Sequence, residues 1–182
     1  KSLKEVHADL RKFGTDAKLI AGGTALVIMM RQRLVRPSCL ISLRAVRGLN
    51  GIAEKDGGLK IGGLATHREV ETSSLVRRRV PLLAETYRHV ATIRVRNMAT
   101  VGGGLAHADP NQDPAPTLIA LGATVKVSSA DGSRVIPIEE FLDRQGKVQV
   151  REGDEVDVYF ASSEGENGAI VLSRQRAESI KV

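Results

Sequence analysis

The run Gly102-Gly103-Gly104 narrows more than any other feature what this chain can become. Glycine loses more freedom on folding than any other residue, roughly 0.5–1 kcal/mol each relative to alanine inside regular structure. A purely structural turn seldom needs three in succession, so the run points to a backbone that something bulky must approach closely. It stands in RNMATVGGGLAHADPNQD, residues 96–113, where Thr100 and Val101 precede the glycines and His107, Asp109, Asn111 and Asp113 follow. A bulky anionic ligand accounts for this composition. Thr100 can donate to a phosphate, and Asp113 can accept from a sugar-chain hydroxyl.

A second glycine segment lies earlier, in AGGTALV, residues 21–27. The apolar run from Lys18 to Ala21 reads as a strand and Thr24 to Leu34 as a helix, so Gly22 and Gly23 sit at a strand-to-helix turn. Thr24 is placed to cap that helix, whose N-terminus carries unpaired donors and partial positive charge suited to a pyrophosphate. A tight turn without a ligand fits the same residues equally well.

Other chemistries fit poorly. A dinucleotide fingerprint fails because His107 stands at its last glycine position, and the Gly-Lys-Ser or Gly-Lys-Thr of a P-loop is absent. His107, Asp109 and Asp113 lack the paired histidines of a metal site, and the chain has only four His in all. No serine sits in a nucleophile elbow. Cys39 is alone, so an iron–sulfur cluster or structural zinc would have to be on another chain. The net charge is +6, with arginines bunched at Arg31, Arg33 and Arg36 and at Arg77, Arg78 and Arg79. Aromatic residues make up only 3% of the 182 positions, with no Trp, which disfavours nucleic-acid stacking. No apolar stretch approaches the roughly 20 residues of a membrane span. A cytoplasmic protein is expected, with residues missing in front of a chain that lacks an initiator Met.

The periodicity gives an outline. Ser2 and Glu5 form a capping box over a helix with Leu3, Val6, Leu10 and Phe13 on one face and Gly14 as its stop. After the second predicted helix, with Met29 and Met30 assigned to the core, Cys39–Leu43 is the next strand, completing a βαβ unit with a parallel pair. Asp56-Gly57-Gly58 joins Gly51–Ala53 to Leu59–Gly62 as a hairpin, and Asp131-Gly132 joins Ala123–Val127 to Arg134–Ile138. Thr66 and Glu69 form a second capping box. Pro81–Val90 is a helix burying Leu82, Leu83, Tyr87 and Val90, and Pro114–Leu121 is another, capped by Gly122. A last strand covers Glu155–Phe160. The expected fold class is α+β, with a small βαβ lobe over residues 1–50, a larger lobe over 51–165, and residues 166–182 opening a further C-terminal domain otherwise absent.

The landmarks AGGTALVIMMRQRLVRP, GLNGI, LKIGGLATHREVE, PLLAETYRHVA and VRNMATVGGGLAHADPNQDPAPTLIALGATVKV together resemble the FAD-binding subunit or domain of molybdenum hydroxylases. That family includes the medium subunit of carbon monoxide dehydrogenase and the central domain of xanthine dehydrogenase. The resemblance implies the two-lobed FAD-binding fold shared with vanillyl-alcohol-oxidase relatives. It implies Ala21, Gly22, Gly23, Thr24 and Ala25 at the pyrophosphate, with Leu26 nearby. Thr100, Val101, Gly102, Gly103 and Gly104 form the second segment, with His107 near the cofactor and Asp113 on the flavin-side sugar chain. No catalytic side chain is implied. The chain is expected to pass electrons through FAD, from clusters on an iron–sulfur small subunit paired with a molybdopterin-containing large subunit, to an external acceptor. A hetero-oligomer without nucleic acid follows. A stand-alone flavin oxidase, or a scaffold that has lost FAD, is the alternative. Gly104 stands where many members carry Asn or Ser, and VLSRQRAESIKV lacks a lysine that some members bring to the flavin.

Overall fold

A computed structural model describes residues 2–109 and 111–142, and the backbone of 155–160. The chain opens with α1 (Leu3–Phe13), closed at its start by the predicted box: Ser2 and Glu5 each bond the other's backbone N–H. Gly14 ends it at φ 56, donating to the Leu10 carbonyl. Val6 is fully buried, but Phe13, expected on the same buried face, is 40% exposed at the helix's last position. A 3-10 turn (Gly14–Asp16) leads into β1 (Ala17–Ile20), then α2 (Leu26–Arg31) and β2 (Cys39–Ser42). The two strands pair in parallel, Ala17 opposite Cys39 through Ile20 opposite Ser42, so the βαβ unit forms as its spacing requires.

Helix α2 is shorter than its apolar run suggested. It starts after Ala25, and Thr24 is not its cap; no side chain caps it. It ends in paired bonds, Arg33 N to Met30 O and Leu34 N to Met29 O, with Arg33 at φ 62. Glycine normally holds that left-handed position, and another residue there costs roughly 1–2 kcal/mol. Met29 and Met30, expected in the core, are only half-buried, because α2 buries no residue fully.

The second part begins with the hairpin of β3 (Ile52–Lys55) and β4 (Gly58–Ile61). Asp56 (φ 51) and Gly57 (φ 77) make its two-residue turn, both left-handed, as a twist-matched hairpin turn demands. Five helices follow: α3 (His67–Thr72), α4 (Ser74–Arg79), α5 (Pro81–His89), α6 (Ile93–Arg96) and α7 (Val101–His107). Then come α8 (Pro114–Ala120), β5 (Thr124–Ser129), β6 (Gly132–Pro137), α9 (Ile138–Phe141) and β7 (Glu155–Phe160). The strands form one antiparallel sheet in the order β3-β4-β7-β5-β6, so the last described strand inserts between the two hairpins. Fold class α+β thus describes the chain, with a parallel pair and an antiparallel sheet kept separate. The sequence pattern missed α4 and α6, which are too short to show a period. Within α5, Leu83 and Tyr87 are buried as expected, whereas Leu82 is 44% exposed and Ala84 takes its place inward. The expectation for residues 166–182 lies outside the described residues.

Two apolar clusters result. Val6, Ala17, Ile41, Leu43, Val46, Leu49 and Leu64 pack around the parallel pair. Leu59, Ile61, Val70, Leu83, Tyr87, Leu118, Val125 and Phe141 anchor the other. Burying each such large side chain contributes about 1.5–3 kcal/mol. The stretch after β4 stitches the clusters together: Gly62 donates to Gly51, Leu64 to Leu49, and Ala65 and Gly63 accept from Val101 and Gly102.

Candidate cofactor site

The two glycine segments lie against each other. A Cβ on Gly22 would stand 2.0 Å from the Met98 carbonyl oxygen, and one on Gly103 would stand 3.8 Å from the Ala21 Cβ. The structure therefore brings Ala21, Gly22, Gly23, Thr24, Ala25 and Leu26 beside Thr100, Val101, Gly102, Gly103 and Gly104. Gly22 is glycine because backbone passes where its side chain would be. Gly23 is glycine because its φ is 74.

The second segment is not a loop. Its glycines form the first turn of α7, with Thr100 as N-cap accepting from Gly103 N at 3.1 Å. The remaining donors of that turn also have protein acceptors: Val101 N on Ala65 O, Gly102 N on Gly63 O and Gly104 N on Thr100 O. Thr100 is buried, and its hydroxyl is engaged with its own helix. A Cβ on Gly103 would meet that hydroxyl at 2.7 Å. One on Gly104 would lie 3.1 Å from Gln112 Oε1 and 3.6 Å from His67 Nε2.

The first segment differs. Among the described residues, no protein acceptor meets the N–H groups of Gly22, Gly23, Thr24 and Ala25, and the next bonds run from Val27 N to Gly23 O and Met29 N to Ala25 O. All four residues are half-buried. His107, at the end of α7, and Asp113, at the start of α8, are exposed, and Asp113 makes no capping bond. Asp109 instead closes a local turn by accepting from the Asn111 N and Nδ2.

Two residues behind the second segment escaped the sequence reading. His67 is 5% exposed, tilts over the Tyr87 ring at 4.8 Å and leaves Nδ1 without a partner. Burial pushes its imidazole down to about 4, against a backbone hydrogen bond with Thr100 and with added repulsion from Arg96. It is neutral at physiological pH. Burial also drives the Tyr87 phenol upward. Glu71 is the second. Its buried carboxylate accepts from Arg96 Nε at 2.9 Å and from Arg68, and Arg96 further donates to the Val90 and Ala91 carbonyls. Burial alone would raise the Glu71 carboxyl, but the two arginines outweigh it and hold it below its usual value. This knot fixes α6 just before Met98 and Thr100. The only sequence signal was THREVE, read as a capping box, with His67 inside the box and Glu71 two residues past it.

Comparison with known proteins follows the same outline. The model of a family described as FAD binding domain in molybdopterin dehydrogenase matches residues 1–157. The chain is 40% identical to the 6-hydroxypseudooxynicotine dehydrogenase complex subunit alpha of Paenarthrobacter nicotinovorans, over 71% of this chain and 44% of that one. It is 37% identical to the carbon monoxide dehydrogenase medium chain of Hydrogenophaga pseudoflava, over 78% of this chain and 50% of that one. A solved structure of carbon monoxide dehydrogenase from Hydrogenophaga pseudoflava, lacking the Mo-pyranopterin moiety of its cofactor, superimposes with a TM-score of 0.85 at 34% identity, covering 89% of this chain and 57% of that one. The chain spans about half the length of these relatives.

Proposed function

The chain belongs to the family of FAD-binding domains of molybdopterin dehydrogenases, and from that premise we propose that its two glycine segments hold FAD in unlike ways. The observation that carries this reading is the row of backbone donors from Gly22 to Ala25 that meets no protein acceptor among the described residues. Buried or half-buried N–H groups need partners, and a pyrophosphate supplies several charged acceptors at once. Ala21 to Leu26 would hold that group, with the Thr24 hydroxyl available since it caps nothing. In the stretch Thr100 to Gly104, Gly103 and Gly104 are half-buried and would offer backbone without side chains, against which a bulky cofactor can lie, with Thr100, Val101 and Gly102 buried behind them. His107 and Asp113 would meet its outer parts, Asp113 accepting from a sugar-chain hydroxyl.

Bound FAD supplies the redox centre, and the protein contributes position and electrostatics. Here that means donors fixed by the strand-to-turn geometry and a neutral His67 behind the second segment. The wider proposal follows the family. The domain is part of an oxidoreductase in which electrons reach FAD from an iron–sulfur subunit beside a molybdopterin subunit and leave to an external acceptor. We place this hetero-oligomer in the cytoplasm and read the domain as two-lobed, residues 1–50 and 51–165. Among the described residues, no helix is long and apolar enough to cross a membrane.

The test is titration of the purified complete protein with FAD, followed by absorbance and flavin fluorescence. One equivalent bound, with quenched fluorescence, is expected. Absence of a flavin band after added FAD supports the scaffold reading instead. Turnover of a substrate by the flavoprotein alone, without partner subunits, supports the stand-alone oxidase.

A further inference from the structure

All of the chain's net charge resides in its first fifty residues. Residues 1–50 hold ten Lys and Arg against three Asp and Glu, while residues 51–182 hold the other 17 against 18. The first fifty are thus at +7 and the rest at −1. Within this basic region, α2 is apolar in five of its six residues yet buries none of them fully. Val27 is 43% exposed, Ile28 55% and Leu34, just past the helix, 70%. An amphipathic helix of a folded domain ordinarily turns its apolar stripe inward. This one leaves Val27 and Ile28 outside while Leu26, Met29 and Met30 are half-buried. Arg31 at its end and Arg33 and Arg36 just past it are all exposed, and none is in an ion pair among the described residues. Arg33 keeps a left-handed backbone that glycine would hold with less strain, which suits a side chain retained for its charge.

We infer that the exposed face of α2 with its Arg31-Arg33-Arg36 rim is a docking surface for an acidic protein partner whose contact patch is apolar at its centre. An apolar core with a charged rim is the common anatomy of a protein interface, and arginine is enriched there. A second copy of this chain is disfavoured, since the same basic face would meet itself. The inference rests on the hetero-oligomer proposed above and assigns one face to it. It does not depend on FAD, because Ile28 and the three arginines lie outside the proposed cofactor residues.

The experiment places the photo-cross-linking residue p-benzoylphenylalanine at Ile28 of the complete protein, co-expressed with the proposed iron–sulfur and molybdopterin subunits. Size-exclusion chromatography reports whether the assembly forms, and mass spectrometry identifies the adduct. The expected adduct joins Ile28 to a peptide of a different subunit that carries a net negative charge. Combining Arg31→Glu, Arg33→Glu and Arg36→Glu should lower adduct yield at least tenfold while bound FAD stays unchanged. An assembled complex whose adduct lies within the same chain, in a second copy or in lipid overturns the inference. So does an assembled complex with no adduct, or a yield indifferent to the charge reversal. Failure of assembly itself overturns both this inference and the hetero-oligomer on which it rests, leaving the FAD titration to stand or fall separately.

Discussion

From Gly22 to Ala25 successive N–H groups find no acceptor in the described protein, whereas from Val101 to Gly104 every N–H has one. The two segments touch, share a composition rich in glycine and lie beside helices, yet their backbones do opposite things. The first leaves its donors to a ligand. The second has used its own to build a helix turn and to tie that turn to the stretch after β4. Glycine serves a different need at each position: a passing carbonyl at Gly22, a left-handed turn at Gly23, a capping hydroxyl at Gly103. Glycine-rich sequence is therefore no guide to where a donor is free, and the hydrogen-bond accounting is.

The difference can be broken from the side of the second segment. Glu71 pairs with Arg96, which is only 12% exposed, and thereby fixes the approach to Thr100. Glu71→Ala would leave that guanidinium buried without its counter-charge, at a cost of about 3 kcal/mol. Urea unfolding should show this loss, and hydrogen exchange should speed at Val101 to Gly104 more than at β1 and β2. Equal acceleration in both regions would mean that the knot supports the whole chain and not this segment. The contact between segments comes next. Gly22→Ala places a methyl group against the Met98 backbone, where no side chain can move aside. A loss of about 2–3 kcal/mol is expected, with FAD affinity falling as the segments part. Unchanged stability would show that the two backbones are not in contact in solution.

Acid should also separate the two, because His67 lies behind the second segment. Its imidazole is held near 4 against an ordinary 6.5. The unfolded chain thus binds a proton that the folded chain refuses between those values. Stability is full above pH 6.5 and declines as pH falls toward 4, by about 2 kcal/mol at pH 5. Glu71, held below its usual value, acts lower: its contribution is present above pH 4.5 and is lost only below that. His67→Phe keeps a ring on Tyr87 and removes the titration. Its stability should be flat from pH 7 to 5, measured by urea midpoints. A slope matching the parent protein would assign the acid sensitivity elsewhere.

How much of this was legible in the sequence depends on range. Local chemistry was legible: both capping boxes, the Asp56-Gly57 turn and the Gly14 and Gly122 stops depend on residues within a few positions of one another. The parallel pair was legible because a strand, a helix and a strand at that spacing leave few alternatives. The burial of Met29 and Met30 was misjudged, since an apolar run reads as core when only polarity is counted. The α7 turn was not read as a helix, because glycine's poor propensity is overridden by the tertiary bonds from Gly102 to Gly63 and Val101 to Ala65. His67 and Glu71 were invisible as partners, for their contacts span Tyr87, Arg96 and Thr100, positions up to 33 residues away.

The sharpest form of the comparison removes one N–H from each segment. Lactic acid in place of Ala25 turns its amide into an ester, deleting a donor that no described protein group accepts. The Thr24 carbonyl, which the ester weakens as an acceptor, receives no hydrogen bond in the described structure either. Stability should therefore hold to within about 0.5 kcal/mol, while FAD affinity falls roughly tenfold or more, the worth of one hydrogen bond to a charged acceptor. Glycolic acid in place of Gly102 deletes the bond to Gly63 O, 2.8 Å long. That change, with the Val101 carbonyl weakened inside α7, should cost about 1–3 kcal/mol of stability and leave FAD affinity nearly unchanged. The two esters thus exchange effects if the first segment holds the phosphates and the second only supports. Were the Gly102 ester to weaken FAD as much as the Ala25 ester, the second segment would also be a donor site, and its internal bonds would have to open when FAD binds.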